Sequence, residues 1–278
     1  MADAKVILVL IDALGFQAAS DRCGYLGHLT EYGQCAKYRV KGELPAVSRP
    51  MYETVMTGLP VYRHGITTNA YMGASRFPNI FSLCKQHGLK TAAAAYMWMA
   101  ELYNGTPAYD VRFDRFQIHR GGQIDYGIFY CEDAYPDTHL YADGYYLSQA
   151  YQPDFLLIHP MGVDFAGHQA GSDSFAYQHA VENSMKALAF YLPIWRQQGY
   201  SVVITADHGM DGLGIHCGDT AIQREVPLFI LSERVKAGDF SDGMISQLNV
   251  APLVCMLLGI PPGPEMIDPQ KHIGVIGT

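Results

Sequence analysis

Residues 5–11, KVILVLI, and the aspartate that follows at position 12 decide how this chain folds. After Lys5 the run is wholly apolar and largely β-branched, so it has no polar face to turn to water. A run of that length and kind reads as a strand buried on both sides, the habit of parallel sheets. Similar runs recur at 89–96 (LKTAAAAY), 154–159 (DFLLIH), 200–205 (YSVVIT) and 226–231 (VPLFIL). Helical signals lie between them. Residues 50–57 open on Pro50 and stop at Gly58 and Pro60, and residues 77–87 carry Pro78 in the first turn and Gly88 past the end. Residues 137–151 and 244–258 also read as helices. In 172–198, Ala176, Ala180, Met185, Leu188, Leu192 and Trp195 recur at helical spacing. Residues 13–30 leave room for a short helix and a loop. Alternating strands and helices predict an α/β fold with a mainly parallel central sheet and helices on both faces. Residues 97–136 are rich in Tyr, Phe, Gly and Asp without a sustained period. They are expected to form a small lid excursion on a single catalytic domain spanning 1–278.

Composition narrows the function classes. The chain has 278 residues, 49% hydrophobic and only 17% charged, which suits a large core. Its formal charge is −8, from 19 basic and 27 acidic residues, and no basic run occurs, so a nucleic-acid duplex is not an expected partner. No segment reaches the ~18 apolar residues of a membrane span. The run at 6–11 is too short for a signal-peptide core, and the six cysteines include no CxxC pair. The expectation is a cytoplasmic protein with reduced thiols and no membrane partner. The oligomeric state is not legible.

Three of the strand runs end in residues that bind metals. The first runs into Asp12; 154–159 leads to Asp164 and His168; 200–205 runs into Asp207 and His208, and His216 follows in the loop before 226–231. In open parallel sheets ligands bind outside the carboxyl ends of the strands, so these residues could share one edge. A lone aspartate after a strand is usually a cap or turn residue; the joint occurrence is what composition does not explain. Three aspartates and three histidines exceed the needs of one catalytic zinc and match two metals sharing a phosphoryl group. Zinc suits the mixed donor set best, with manganese, iron or magnesium as alternatives. Ser48 stands near the start of the helix opened by Pro50, where backbone N–H groups and the helix dipole favour a phosphate. Its ordinary reading is a helix cap; beside two metals it becomes a nucleophile. His64, His119, His139 and His159 lack partner spacing and read as turn, core or surface residues.

At this point the residues resemble the alkaline phosphatase superfamily, in its nucleotide pyrophosphatase/phosphodiesterase (type I phosphodiesterase) branch. The matching pieces are VILVLIDALG, PAVSRPMYETVMTGLPVYRHGITTN, AAYMW, DFAGHQAG, TADHGM, and HCGD followed by VPLFIL. The resemblance implies an alkaline-phosphatase-like three-layer sandwich and a dinuclear phosphoric ester hydrolase, a phosphodiesterase or nucleotide pyrophosphatase. It implies that Asp164, His168 and His216 hold one metal, and that Asp12, Asp207 and His208 hold the other, with Ser48 bridging to it. Asn69 matches the asparagine that bonds a phosphoryl oxygen. Ser48 would attack phosphorus in line, and water would hydrolyse the phosphoseryl enzyme in a second in-line step. Arg49 stands where the family has an aromatic residue; it would contact phosphate, favouring monoesters, or point to solvent. Tyr96 and Trp98 lie where a nucleoside or aryl leaving group could stack. The expected substrate is a small phosphate ester, such as a nucleotide. The alternatives are a phosphomonoesterase, a phosphonate hydrolase, a sulfatase, which Tyr52 disfavours by standing in place of a required arginine, and a non-catalytic relative.

Overall fold

The computed structural model describes residues 4–106 and 108–276. Nine strands are described: β1 (Lys5–Leu10), β2 (Ala36–Lys41), β3 (Thr91–Tyr96), β4 (Phe116–Ile118), β5 (Tyr126–Tyr130), β6 (Phe155–Ile158), β7 (Tyr200–Thr205), β8 (Glu225–Leu231) and β9 (Gly238–Ser246). They form one sheet in the order β4-β5-β3-β6-β1-β7-β8-β2-β9. From β5 to β7 every pairing is parallel. β8 turns antiparallel to β7 and β2 antiparallel to β8, while β4 closes the far edge antiparallel to β5. Helices Phe16–Arg22, Asp137–Ala150 and Phe175–Gln197 pack on one face; Ser48–Thr57, Ile80–Gln86 and Val250–Leu258 pack on the other. Val6 to Leu10 in β1 and Ala92 to Ala95 in β3 have no exposure, as central strands between two helical layers require. This is the expected three-layer α/β sandwich. No described helix is long and apolar enough to cross a membrane.

Four sequence expectations shift. Residues 36–41, for which the sequence predicts no element, form β2, with burial alternating from residue to residue as its side chains point in and out. The helix expected over 244–258 begins only at Val250, because Met244, Ile245 and Ser246 pair with Arg39, Val40 and Lys41 and so complete β9. The segment 97–136 is only in part an excursion. Tyr126–Tyr130 lies beside β3 as a fully buried strand, and Phe116–Ile118 pairs with it at the sheet edge. The run YGIFY is too short and too aromatic to show a period of its own. Residues 13–30, expected to hold one short helix and a loop, hold two helices, Phe16–Arg22 and Tyr25–Glu31.

Candidate active site

The strands β6, β1 and β7 are adjacent and parallel, so their carboxyl ends meet at one edge. Ile11 N–H donates to Thr205 O at 2.9 Å and Asp12 N–H to Pro160 O at 3.0 Å, splicing the three strand ends together. Ala13 takes a left-handed conformation (φ 58°) and donates its N–H to Asp207 Oδ1 at 3.1 Å. Tyr177 holds that turn, donating its hydroxyl to Ala13 O at 2.7 Å. Beyond β7 the chain must pass close to its neighbours. A Cβ on Gly209 would lie 2.1 Å from Ile222 O, so only glycine fits after His208. Asp164 and His168 sit four residues apart on helix Gly162–Ala170 and share one face. The loop carrying His216 is shaped by Asp211, whose Oδ1 accepts from the N–H groups of Leu213 and Ile215, both at 2.9 Å.

All six residues converge. His208 Nε2 lies 3.2 Å from Asp207 Oδ2 and 3.5 Å from Asp12 Oδ1. His168 Nε2 lies 3.5 Å from Asp164 Oδ1 and 3.2 Å from His216 Nε2. Donor atoms of Asp12, Asp207 and His208 fall within 4.8 Å of one another, as do those of Asp164, His208 and His216, so His208 faces both groups. The other ring nitrogens face backbone carbonyls: Nδ1 of His208 to Gly209 O at 3.0 Å, of His168 to Gly214 O at 2.9 Å, and of His216 to Ala46 O at 2.8 Å. A carbonyl only accepts, so each Nδ1 carries the proton and each Nε2 presents its lone pair to the cluster. Burial holds the His208 imidazole down at about 4 and lowers His216 as well, keeping both neutral.

The carboxylates face the same point. Asp12 Oδ1, Asp164 Oδ1 and Asp207 Oδ2 are buried without a hydrogen-bond partner among the described residues. Burial, reinforced by the neighbouring charge of Asp12, pushes Asp164 up to about 9 and Asp207 well above its ordinary value. Burial opposes ionisation of Asp12 too, but its contact with His159, the charge of His208 and the hydroxyl of Tyr52 outweigh it and hold Asp12 at about 2. Three orphaned carboxylate oxygens beside three imidazole Nε2 atoms are an unfavourable arrangement for a bare interior and a fitting one for divalent cations.

Ser48 is the first residue of helix Ser48–Thr57, and Val47 is its cap. The serine hydroxyl therefore does no capping; it lies 3.1 Å from His208 Nε2, inside the cluster. Asn69 stands beside it, its Oδ1 accepting the Arg49 N–H at 2.8 Å. Arg49 does not point to solvent: it is 2% exposed, paired with Glu101 at 2.6 Å, bonded to Tyr71 O and stacked on Trp98 at 4.4 Å. Trp98 is half-buried between that guanidinium, the buried Tyr96 (5.1 Å) and Tyr52 (6.2 Å), so one of its faces is already covered. His64, expected in a turn, ends the short helix Val61–His64, where it is buried and bonded to Thr54 at 3.0 Å and to Ile66 N–H at 3.1 Å.

Two site residues escaped the sequence reading. Tyr52 donates its hydroxyl to Asp12 Oδ2. It lies one helical turn after Ser48, on the same face, a spacing that could have found it. His159, set aside for want of partner spacing, is fully buried with Nε2 3.4 Å from Asp12 Oδ2. It directly follows β6, so the strand-end rule that found Asp12 also covers it.

The sequence profile of the type I phosphodiesterase / nucleotide pyrophosphatase family matches residues 6–228, from β1 into β8. The chain belongs to that family. The match takes in all six converging residues and Ser48. GPI ethanolamine phosphate transferase 2 of Kluyveromyces lactis is 24% identical, over 98% of this chain and 36% of that protein, so the chain spans about a third of this relative's length. Among solved structures, murine ectonucleotide pyrophosphatase / phosphodiesterase 5, an inactive form in complex with AMP, superposes with a TM-score of 0.71 at 12% identity, covering 97% of this chain and 100% of that one. The alkaline phosphatase PafA gives 0.70 at 10% identity, covering 98% and 99%. The two structural likenesses show that the chain shares the fold of that phosphodiesterase and of that phosphatase.

Proposed function

We propose that the chain is a dinuclear, metal-dependent phosphodiesterase that works through a phosphoseryl intermediate on Ser48. The observation that carries this reading is the Ser48 hydroxyl, 3.1 Å from His208 at the centre of six converging metal-ligating side chains. Asp12, Asp207 and His208 would hold one ion, and Asp164, His168 and His216 the other. Bound there, two divalent ions, zinc foremost, supply Lewis-acid charge and lower the pKa of a hydroxyl.

The chain's own groups do the rest. Ser48 Oγ attacks phosphorus in line, and the leaving alcohol departs on the opposite side. Asn69, anchored through its Oδ1, turns its amide nitrogen to a phosphoryl oxygen. The N–H groups at the start of helix Ser48–Thr57 face the same oxygens. Water then takes the phosphoryl group from Ser48. The edge formed by Tyr96 and Trp98 borders the space for the leaving group.

The charge of Arg49 bears on substrate class. Its charge is already balanced by Glu101, which leaves it less to offer the second charge of a monoester. A singly charged diester fits better, and the AMP in the murine relative supports a nucleotide or a similar small ester. A second reading, transfer of the phosphoryl-bearing group to an alcohol rather than to water, is favoured by the likeness to an ethanolamine phosphate transferase. The same serine chemistry serves both. Zinc-loaded protein is expected to cleave bis-nitrophenyl phosphate and nucleotide diesters faster than nitrophenyl phosphate, a phosphonate or a sulfate ester. Under the transfer reading, a phosphoethanolamine diester would pass its phosphoethanolamine group to an added alcohol faster than to water; under the hydrolase reading, water takes most of it. A uniform preference for monoesters would overturn the diester assignment.

A further inference from the structure

We propose that His159 is a positioning residue which, together with Tyr52, pins the Asp12 carboxylate so that one oxygen alone faces the metal cluster. The inference rests on the metal reading of Asp12 and extends it to a residue outside the ligand set.

The backbone of His159 is fixed on both sides. Its N–H donates to Ala94 O at 2.9 Å, and its carbonyl accepts the Tyr130 hydroxyl at 2.7 Å. The ring has no exposure and meets Tyr52 edge-on, with ring centres 4.6 Å apart at 74°. Among the described residues neither ring nitrogen has a hydrogen-bond partner, and Nε2 lies 3.4 Å from Asp12 Oδ2. Tyr52 donates to that same oxygen. Asp12 Oδ2 is thus approached by two donors, one from helix Ser48–Thr57 and one from the end of β6. Oδ1 has no hydrogen bond and faces His208 Nε2 at 3.5 Å. With Nε2 protonated, His159 closes onto Oδ2 and fixes the carboxylate's rotation, leaving Oδ1 as the ligand atom. Outer partners of ligand carboxylates typically change metal affinity 10–100-fold when removed.

The test uses the His159→Gln, His159→Asn and His159→Leu variants of the whole chain. A glutamine amide nitrogen reaches about where Nε2 sits, and an asparagine nitrogen about where Nδ1 sits. Zn(II) affinity is measured by competition with a chromophoric chelator, and the site's symmetry by the visible absorption of the Co(II)-loaded protein. The Asn and Leu variants are expected to weaken one of the two ions by about 10–100-fold and to shift the Co(II) bands, with Gln staying near wild type. Asn and Gln are equally polar, so their comparison decides the matter even if the Leu variant does not fold. Equal affinities for Asn and Gln, or wild-type binding in every variant, overturn the role of His159 alone. A wild-type chain that binds no Zn(II) or Co(II) overturns the dinuclear reading with it.

Discussion

Replacing Ser48 by alanine is expected to lower turnover of a diester by at least about 10³, roughly 4 kcal/mol of barrier, while fold and metal content persist. The hydroxyl is buried among the ligands and plays no capping role, so its loss removes a nucleophile and little else. Other hydroxyls nearby are committed elsewhere: Thr54 to His64 at 3.0 Å, Thr57 to Glu53 O at 2.5 Å, and Ser75 to Glu53 Oε1 at 2.6 Å. None can take its place. Some rate should survive, because bound ions and positioning still act. A rapid quench of the wild type should yield a phosphorylated peptide containing Ser48. Wild-type turnover in Ser48→Ala would mean that water attacks the substrate directly.

The second large effect concerns the metal-free protein. Asp164, up at about 9 from an ordinary 3.8, holds its proton more tightly folded than unfolded. The stability it contributes is therefore complete below 3.8 and is lost as pH rises toward about 9. Asp207 acts in the same direction. Asp12, at about 2, acts oppositely, but only as pH falls below its ordinary range. His208, down at about 4, loses stability only as pH falls from 6.5. Between about pH 7 and 9 the carboxyls dominate, so chelator-treated protein should melt at steadily lower temperature. Zinc-loaded protein should lack that slope, and Asp207→Asn should reduce it in the stripped form. Thermal melts with chelator and with zinc decide this; identical slopes would show that the three carboxyls do not share one crowded site.

The sheet and most of the cluster were legible because they depend on local signals. KVILVLI, DFLLIH and YSVVIT are buried strands by composition alone, and ligands placed just past them fall on one edge whatever the loops do. β2 was missed although AKYRVK alternates, because its charged positions mask a half-buried strand. β5 and β9 were missed because each is specified by its partner strand rather than by a period of its own. The burial of Arg49 is not legible for a different reason. Glu101 lies 52 residues away and meets Arg49 only when helix Trp98–Tyr103 packs near helix Ser48–Thr57. Tyr52 and His159 bore readable positions, but their meaning came from the carboxylate between them.

The most direct measurement is anomalous diffraction at the zinc edge from crystals of zinc-loaded protein. Two peaks are expected about 3.5–4 Å apart. One should touch Asp12, Asp207, His208 and Ser48 Oγ, and the other Asp164, His168 and His216. No peak among these residues after loading would contradict the dinuclear site and the chemistry built on it.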